Sequence, residues 1–222
     1  MKTNVYIDGF NLYYGALKGT RYRWLNLRRL AQLLLPNDTI QKVRYFTALV
    51  SPHTNGDPDV AVRQQLFLRA TRTLPDVEVH YGTFLTSFRR RPVAPVANPP
   101  HFVQVAETSE KGSDVNLASY LLTDCFDNHC EQALVISGDS DLAEPIRLAR
   151  QKLNKRVVVA FPDPRGSALL RQRADSTIKV FEKTLREAQL PDSLRDANGT
   201  FTKPKSWIGG PRIPRSRNPR SK

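Results

Sequence analysis

The sequence predicts an α/β fold, a mostly parallel sheet with helices on both faces, followed by a basic C-terminal tail. Three observations predict it. Short β-branched runs alternate with segments of helical apolar spacing, the pattern of parallel strands joined by crossover helices. Apolar residues make up 40% of the 222-residue chain, enough for a sizeable core. From about Asp192 onward the apolar periodicity fades and Gly, Pro, Ser and Arg take over.

The elements follow in order. Asn4-Val5-Tyr6-Ile7 is a buried first strand that ends at Asp8-Gly9. Leu27, Leu30 and Leu34 repeat at helical spacing and predict a helix over 25–35, stopped by Pro36. A second strand covers 43–50. The next helix covers 57–74, with Pro58 in its first turn and Val62, Leu66 and Ala70 on its apolar face. A third strand covers 77–84. The stretch 86–110 holds Arg89-Arg90-Arg91 and four prolines, and reads as a surface excursion with a short extra strand at 102–106. Ser113 is placed to cap a helix from Asp114 to about Asp127, with Val115, Ala118, Leu122 and Cys125 facing inward. Then come a strand at 133–137, a helix at 142–153, a strand at 156–161, a short helix at 167–174 and a last strand at 177–181. Residues 1–185 make one domain, and 192–222 a flexible basic tail.

Composition narrows the function. The net charge is +13. Residues 197–222 hold seven basic side chains and no acidic one, which leaves +6 for the rest. A field of that sign favours a polyanionic partner, and RNA is the partner expected. No stretch of about 18 apolar residues is present, and no basic amphipathic helix accompanies the charge, so membrane binding is not expected. The first residues lack the long apolar segment of an export signal, which makes the cytoplasm the expected compartment and reduced thiols the expected state of Cys125 and Cys130. Cys125, His129 and Cys130 could ligate zinc, but no second cluster completes such a site. Self-association is left open.

In parallel α/β sheets, ligands bind beyond the carboxyl ends of the strands. Asp8 follows the first strand, Asp139 and Asp141 follow the fourth, and Asp114 opens the helix that leads into it. Singly, each has an ordinary reading: a strand-to-loop turn for Asp8-Gly9, a favourable helix start for Asp114, helix capping for Asp139 and Asp141. Together on one edge, four carboxylates repel one another unless cations neutralise them. Hard oxygen donors suit Mg²⁺ or Mn²⁺, and such ions can activate water and stabilise the leaving oxygen of a phosphodiester. Asn11 is a candidate to orient a water or a phosphate oxygen. Ser137 is a candidate to fix a carboxylate rotamer by hydrogen bonding. Lys111, Tyr14, Arg89, Arg90 and Arg91 are candidates to hold substrate. Trp207 in the tail is a candidate to stack on a base. Phe10 is read as core packing. The four histidines are scattered and form no recognisable dyad.

Val5-Tyr6-Ile7-Asp8-Gly9-Phe10-Asn11, Lys111-Gly112-Ser113-Asp114 and Ser137-Gly138-Asp139-Ser140-Asp141-Leu142 together resemble the NYN domain family over about 2–182. The resemblance implies a Rossmann-like, PIN-like sheet, an acidic metal site and ribonuclease activity. It carries Asp8, Asp114, Asp139 and Asp141 over as metal-binding carboxylates, with Asn11 as a polar companion. The stretch after Phe88 and the tail after Asp192 fall outside the shared pattern. Three other readings stand beside it: a non-catalytic RNA-binding protein, a phosphatase-type enzyme with Asp8 as nucleophile, and a nuclease acting on DNA. Against the phosphatase, the second aspartate of the common pattern is replaced by Phe10.

Overall fold

The computed structural model describes residues 1–50, 57–95 and 98–209. Six strands form one parallel sheet: β1 (Lys2–Asp8), β2 (Thr39–Thr47), β3 (Val77–Tyr81), β6 (Gln132–Ile136), β7 (Arg156–Phe161) and β8 (Ser176–Lys179). Between β3 and β6, β4 (Thr83–Pro92) and β5 (Phe102–Lys111) pair only with each other. The sheet order is β3-β2-β1-β6-β7-β8, and every pairing in it is parallel. The chain therefore winds outward from β1 in one direction and from β6 in the other. The crevice between the ends of these two central strands is where such a sheet binds ligands.

Alternation along β1 divides the core in two. Val5 and Ile7 face α2 (Leu27–Leu34), α3 (Val60–Thr71) and α7 (Glu182–Glu187), against Leu30, Leu68 and Leu185. Tyr6 faces α4 (Ser113–Phe126), α5 (Ala143–Gln151) and α6 (Ala168–Arg173), against Leu117, Ile146 and Leu170. The fold class expected from the sequence is the one observed.

Two helices are rotated from their expected faces. In α3 the buried side chains include Ala61, Phe67, Leu68 and Ala70, while Val62 is exposed. In α4 they include Leu117, Leu121 and Cys125, while Val115 is exposed. Both segments carry two possible apolar stripes about one residue apart, and only the sheet beneath selects one.

The third strand does not continue to residue 84. It stops at Tyr81, because Gly82 packs directly on the start of α4. A Cβ on Gly82 would lie 2.6 Å from the Lys111 carbonyl oxygen and 3.0 Å from the Ser113 nitrogen. From that pinch β4 and β5 run out as an antiparallel ribbon, from Thr83↔Lys111 to Pro92↔Phe102. The expected short strand at 102–106 is thus a ten-residue strand of this ribbon.

The expected flexible tail is also corrected over its first part. β9 (Ser193–Asp196) and β10 (Gly199–Thr202) form a hairpin, followed by a 3-10 turn at Lys205–Trp207. Trp207 and Phe201 are buried against Trp24, with ring centroids 6.1 and 6.5 Å away. Arg69 grips Asp196 through two hydrogen bonds of 2.7 Å. Trp207 is therefore packed inside and has no free face for a base. Residues 210–222 of the expected tail lie outside the described residues. Among the described residues no helix is long and apolar enough to cross a membrane.

Candidate functional site

β1 ends at Asp8, and the chain turns at once into α1 (Gly9–Leu12). The turn needs glycine at position 9, where a Cβ would lie 2.7 Å from the Phe46 carbonyl oxygen and the Tyr45 ring. Asp8 is 5% exposed. One carboxylate oxygen accepts from the Asn11 backbone N–H at 2.9 Å, capping α1, and the other accepts from the Ser137 hydroxyl at 2.9 Å. Burial pushes the Asp8 carboxyl above its ordinary range, the hydrogen bonds from Asn11 and Ser137 pull it down, and the Asp139 charge adds to the rise.

Across the crevice, Ile136 ends β6 and Ser137-Gly138-Asp139 follow. Gly138 N–H donates to Asn11 Oδ1 at 2.8 Å. Asp139 N–H donates to Ser137 Oγ at 3.1 Å. Asp139 Oδ1 accepts from Asp141 N–H at 3.0 Å and caps a 3-10 turn at Ser140–Leu142 that leads into α5. The Asn11 amide oxygen is thus a clip between the two central loops, and only its NH₂ remains for other work.

Asp114 stands in the first turn of α4. The expected cap, Ser113, makes no capping bond. Gly112 occupies the cap position at φ +97°, and Glu110 accepts from the Ser113 N–H at 3.1 Å in its place. Burial first, then the charges of Asp8, Asp139, Glu110 and Asp141, push the Asp114 carboxyl up to about 6. A carboxyl shifted by four neighbouring carboxylates shares one pocket of negative potential with them. Glu110 is the member that sequence reasoning missed. Its signal was a second acidic residue four positions before Asp114, at the end of the segment that opens α4.

None of the four aspartates forms an ion pair among the described residues. Asp163, two residues beyond the end of β7, shows the contrast: Arg165 Nη2 holds it at 2.7 Å. Among the described residues no three His, Cys, Asp or Glu side chains stand close enough to hold a metal ion as they are. The charges of Asp8, Asp139 and Asp141 reach Asp114, and that of Asp139 reaches Asp8, without the four forming a closed ligand cage. The donors are all oxygen, which is the chemistry that fits Mg²⁺ or Mn²⁺.

The other candidates divide. Lys111 is exposed at the base of the ribbon, beside the start of α4, with no ion pair among the described residues. Tyr14 is exposed in the π-helical turn Tyr13–Leu17, with Lys18 Nζ 4.8 Å above its ring. Phe10 is half-buried and meets Phe84 of the ribbon edge-on at 5.7 Å. Arg89, Arg90 and Arg91 do not stand at the acidic edge. They lie six to eight residues out along the ribbon, about 20 Å or more from its base at strand rise.

Comparisons with known proteins match the chain at the level of family and fold. The NYN domain family model matches residues 2–182. A protein of unknown function from Vibrio parahaemolyticus, VPA0982, superposes with a TM-score of 0.54 at 20% identity, over 82% of this chain and 93% of that one. The chain is 26% identical to 6-hydroxy-3-succinoylpyridine 3-monooxygenase HspA of Pseudomonas putida, over 96% of this chain and 77% of that protein.

Proposed function

Because the chain belongs to the NYN domain family, we propose that it is a metal-dependent ribonuclease whose acidic edge hydrolyses RNA phosphodiester bonds. The observation that supports this most is the grouping of Asp8, Asp114, Asp139 and Asp141, unpaired by any described cation, at the crevice between β1 and β6. Asp8, Asp114 and Asp139 would hold one or two Mg²⁺ or Mn²⁺ ions, with Asp141 direct or through water. Such ions lower the pKa of water and offset charge that develops on phosphate oxygens. Ser137 and the Asn11 backbone N–H fix both oxygens of Asp8, so its carboxylate is oriented before any substrate arrives. Asn11 locks the loop after β6 to the loop after β1 and so sets where Asp139 stands. Lys111 and Tyr14, both exposed, would meet the RNA beside the cut.

The test is incubation of the purified chain with labelled single-stranded RNA and DNA, with Mn²⁺, Mg²⁺ or chelator, beside Asp139→Asn. Cleavage of RNA only with metal, and only by wild type, supports the reading. Equal cleavage by Asp139→Asn overturns it.

The similarity to HspA favours a second reading, a pyridine-ring monooxygenase. Oxidases that use a dinucleotide in a sheet of this order admit its pyrophosphate through a Gly-x-Gly-x-x-Gly turn after β1. Here that turn is Asp8-Gly9-Phe10-Asn11, with a buried carboxylate where the pyrophosphate would approach. NADH consumption dependent on a hydroxylated pyridine, without RNA cleavage, would establish the second reading.

A further inference from the structure

The β4–β5 ribbon stands off the sheet and carries large apolar side chains in the open. Phe88 is 70% and Phe102 44% exposed. Successive residues of a strand point to opposite faces. One face carries Phe84, Phe88, Arg90 and Phe102, with the Arg90 guanidinium 5.3 Å above the Phe102 ring. On the other face, Arg89 and Arg91 both turn to Glu107, at 3.5 and 3.1 Å. Glu110, the remaining acidic residue of the ribbon, is engaged at its base with the Ser113 N–H. The outer part of the aromatic face thus carries the Arg90 charge with no acidic partner among the described residues. That face is also continuous with the acidic edge, since Phe84 packs on Phe10, two residues after Asp8.

We propose that this face is a second RNA contact site, a stacking platform that holds single-stranded RNA leading into the acidic edge. The proposal rests on the ribonuclease reading. Phe88 and Phe102 take the faces of unpaired bases, and Arg90 meets a phosphate between them. Exposed aromatic side chains beside a guanidinium suit a single strand, because any unpaired base offers a π-face while a duplex offers none along its length. A second copy of the chain fits less well. A two-fold contact of this face with itself would press like guanidinium charges together. Phe88 lies five residues from the ribbon base, about 17 Å at strand rise. About five stacked nucleotides, at roughly 3.4 Å each, span that distance. RNA much shorter than this cannot touch both sites.

The experiment measures fluorescence anisotropy of labelled RNA on the full chain carrying Asp139→Asn, so that RNA stays intact, with and without Phe88→Ala and Phe102→Ala together. Both phenylalanines are exposed, and matching circular-dichroism melts check that the variant folds. A 12-nucleotide single strand should bind about tenfold or more weaker to the double variant, which loses two stacking faces. A trinucleotide should change less than about twofold, and a 12-base-pair duplex should bind the parent more weakly than the single strand. Unchanged 12-mer affinity overturns the platform. If sedimentation instead shows the double variant turning a dimer into a monomer with RNA affinity intact, the ribbon is a self-association surface and the proposal is overturned. Wild type cutting RNA while the ribbon variant binds normally refutes the platform alone. Wild type failing to cut or bind RNA refutes the ribonuclease reading itself.

Discussion

The Ser137 hydroxyl donates to Asp8 Oδ2 at 2.9 Å, tying the end of β6 to the end of β1 with the carboxylate in one fixed rotamer. The same hydroxyl accepts from the Asp139 N–H, so a single oxygen positions two acidic residues. Ser137→Ala is therefore expected to weaken metal-dependent cleavage about 10- to 100-fold with little loss of fold. Mn²⁺ titration by calorimetry beside a cleavage assay checks it. Wild-type metal affinity and rate in the variant would remove Ser137 from the site.

Asp8→Asn and Asp139→Asn should each reduce RNA cleavage to background. In chelator, both should melt no lower than wild type, because each removes one charge from a mutually repelling group. Thermal melts in EDTA beside a cleavage assay read both halves. A variant that melts far below wild type would mean the carboxylate serves the fold first.

Asp114 gives a pH signature. Its carboxyl rises from an ordinary 3.8 to about 6 in the folded chain. Between those values the folded state binds more protons than the unfolded one, so this group's contribution to stability falls as pH climbs through the window. In chelator, wild type should lose stability relative to Asp114→Asn from about pH 4 to pH 6.5. Mn²⁺ should recover that loss above about pH 6, where the ligand is ionised. Parallel melting curves for the two proteins across this range would contradict the placement.

Beneath the sheet, Arg44 grips buried Asp124 through two bonds of 2.8 Å, and the Tyr6 hydroxyl adds a third of 2.9 Å. Burial pushes the Asp124 carboxyl up, but these donors hold it below its ordinary range. Its contribution is therefore present above the unfolded pKa and is lost as pH falls through the lowered folded value. Arg44→Met alone leaves a buried unpaired charge and should cost about 3–5 kcal/mol, while Arg44→Met with Asp124→Leu should cost much less. Urea unfolding of the single and double variants decides it. Equal losses would show that the pair is not the unit.

Trp207→Ala should destabilise the chain by about 3–5 kcal/mol, since it empties a buried site against Trp24. Truncation after residue 192 should do at least as much harm, and truncation after 209 far less. Equal melting temperatures for the two truncations would return the whole segment to the role of a dispensable tail.

The chain alone determined the sheet, its helices and the carboxylates at strand ends, because apolar spacing and the residues after each strand are local signals. The alternation around Val5 to Ile7, the turn at Asp8-Gly9 and the Gly-Asp-Ser-Asp run at 138–141 needed no partner to be read. The buried stripes of α3 and α4, the burial of Trp207 and the length of the ribbon depended on what lies across space. A one-residue shift of a helical stripe changes nothing in local spacing, and a basic, proline-containing segment reads as loose until Trp24 and Arg69 are brought against it. Tertiary structure also separated the arginines from the acidic edge: they follow the third strand closely in the chain, and strand rise carries them away along the ribbon.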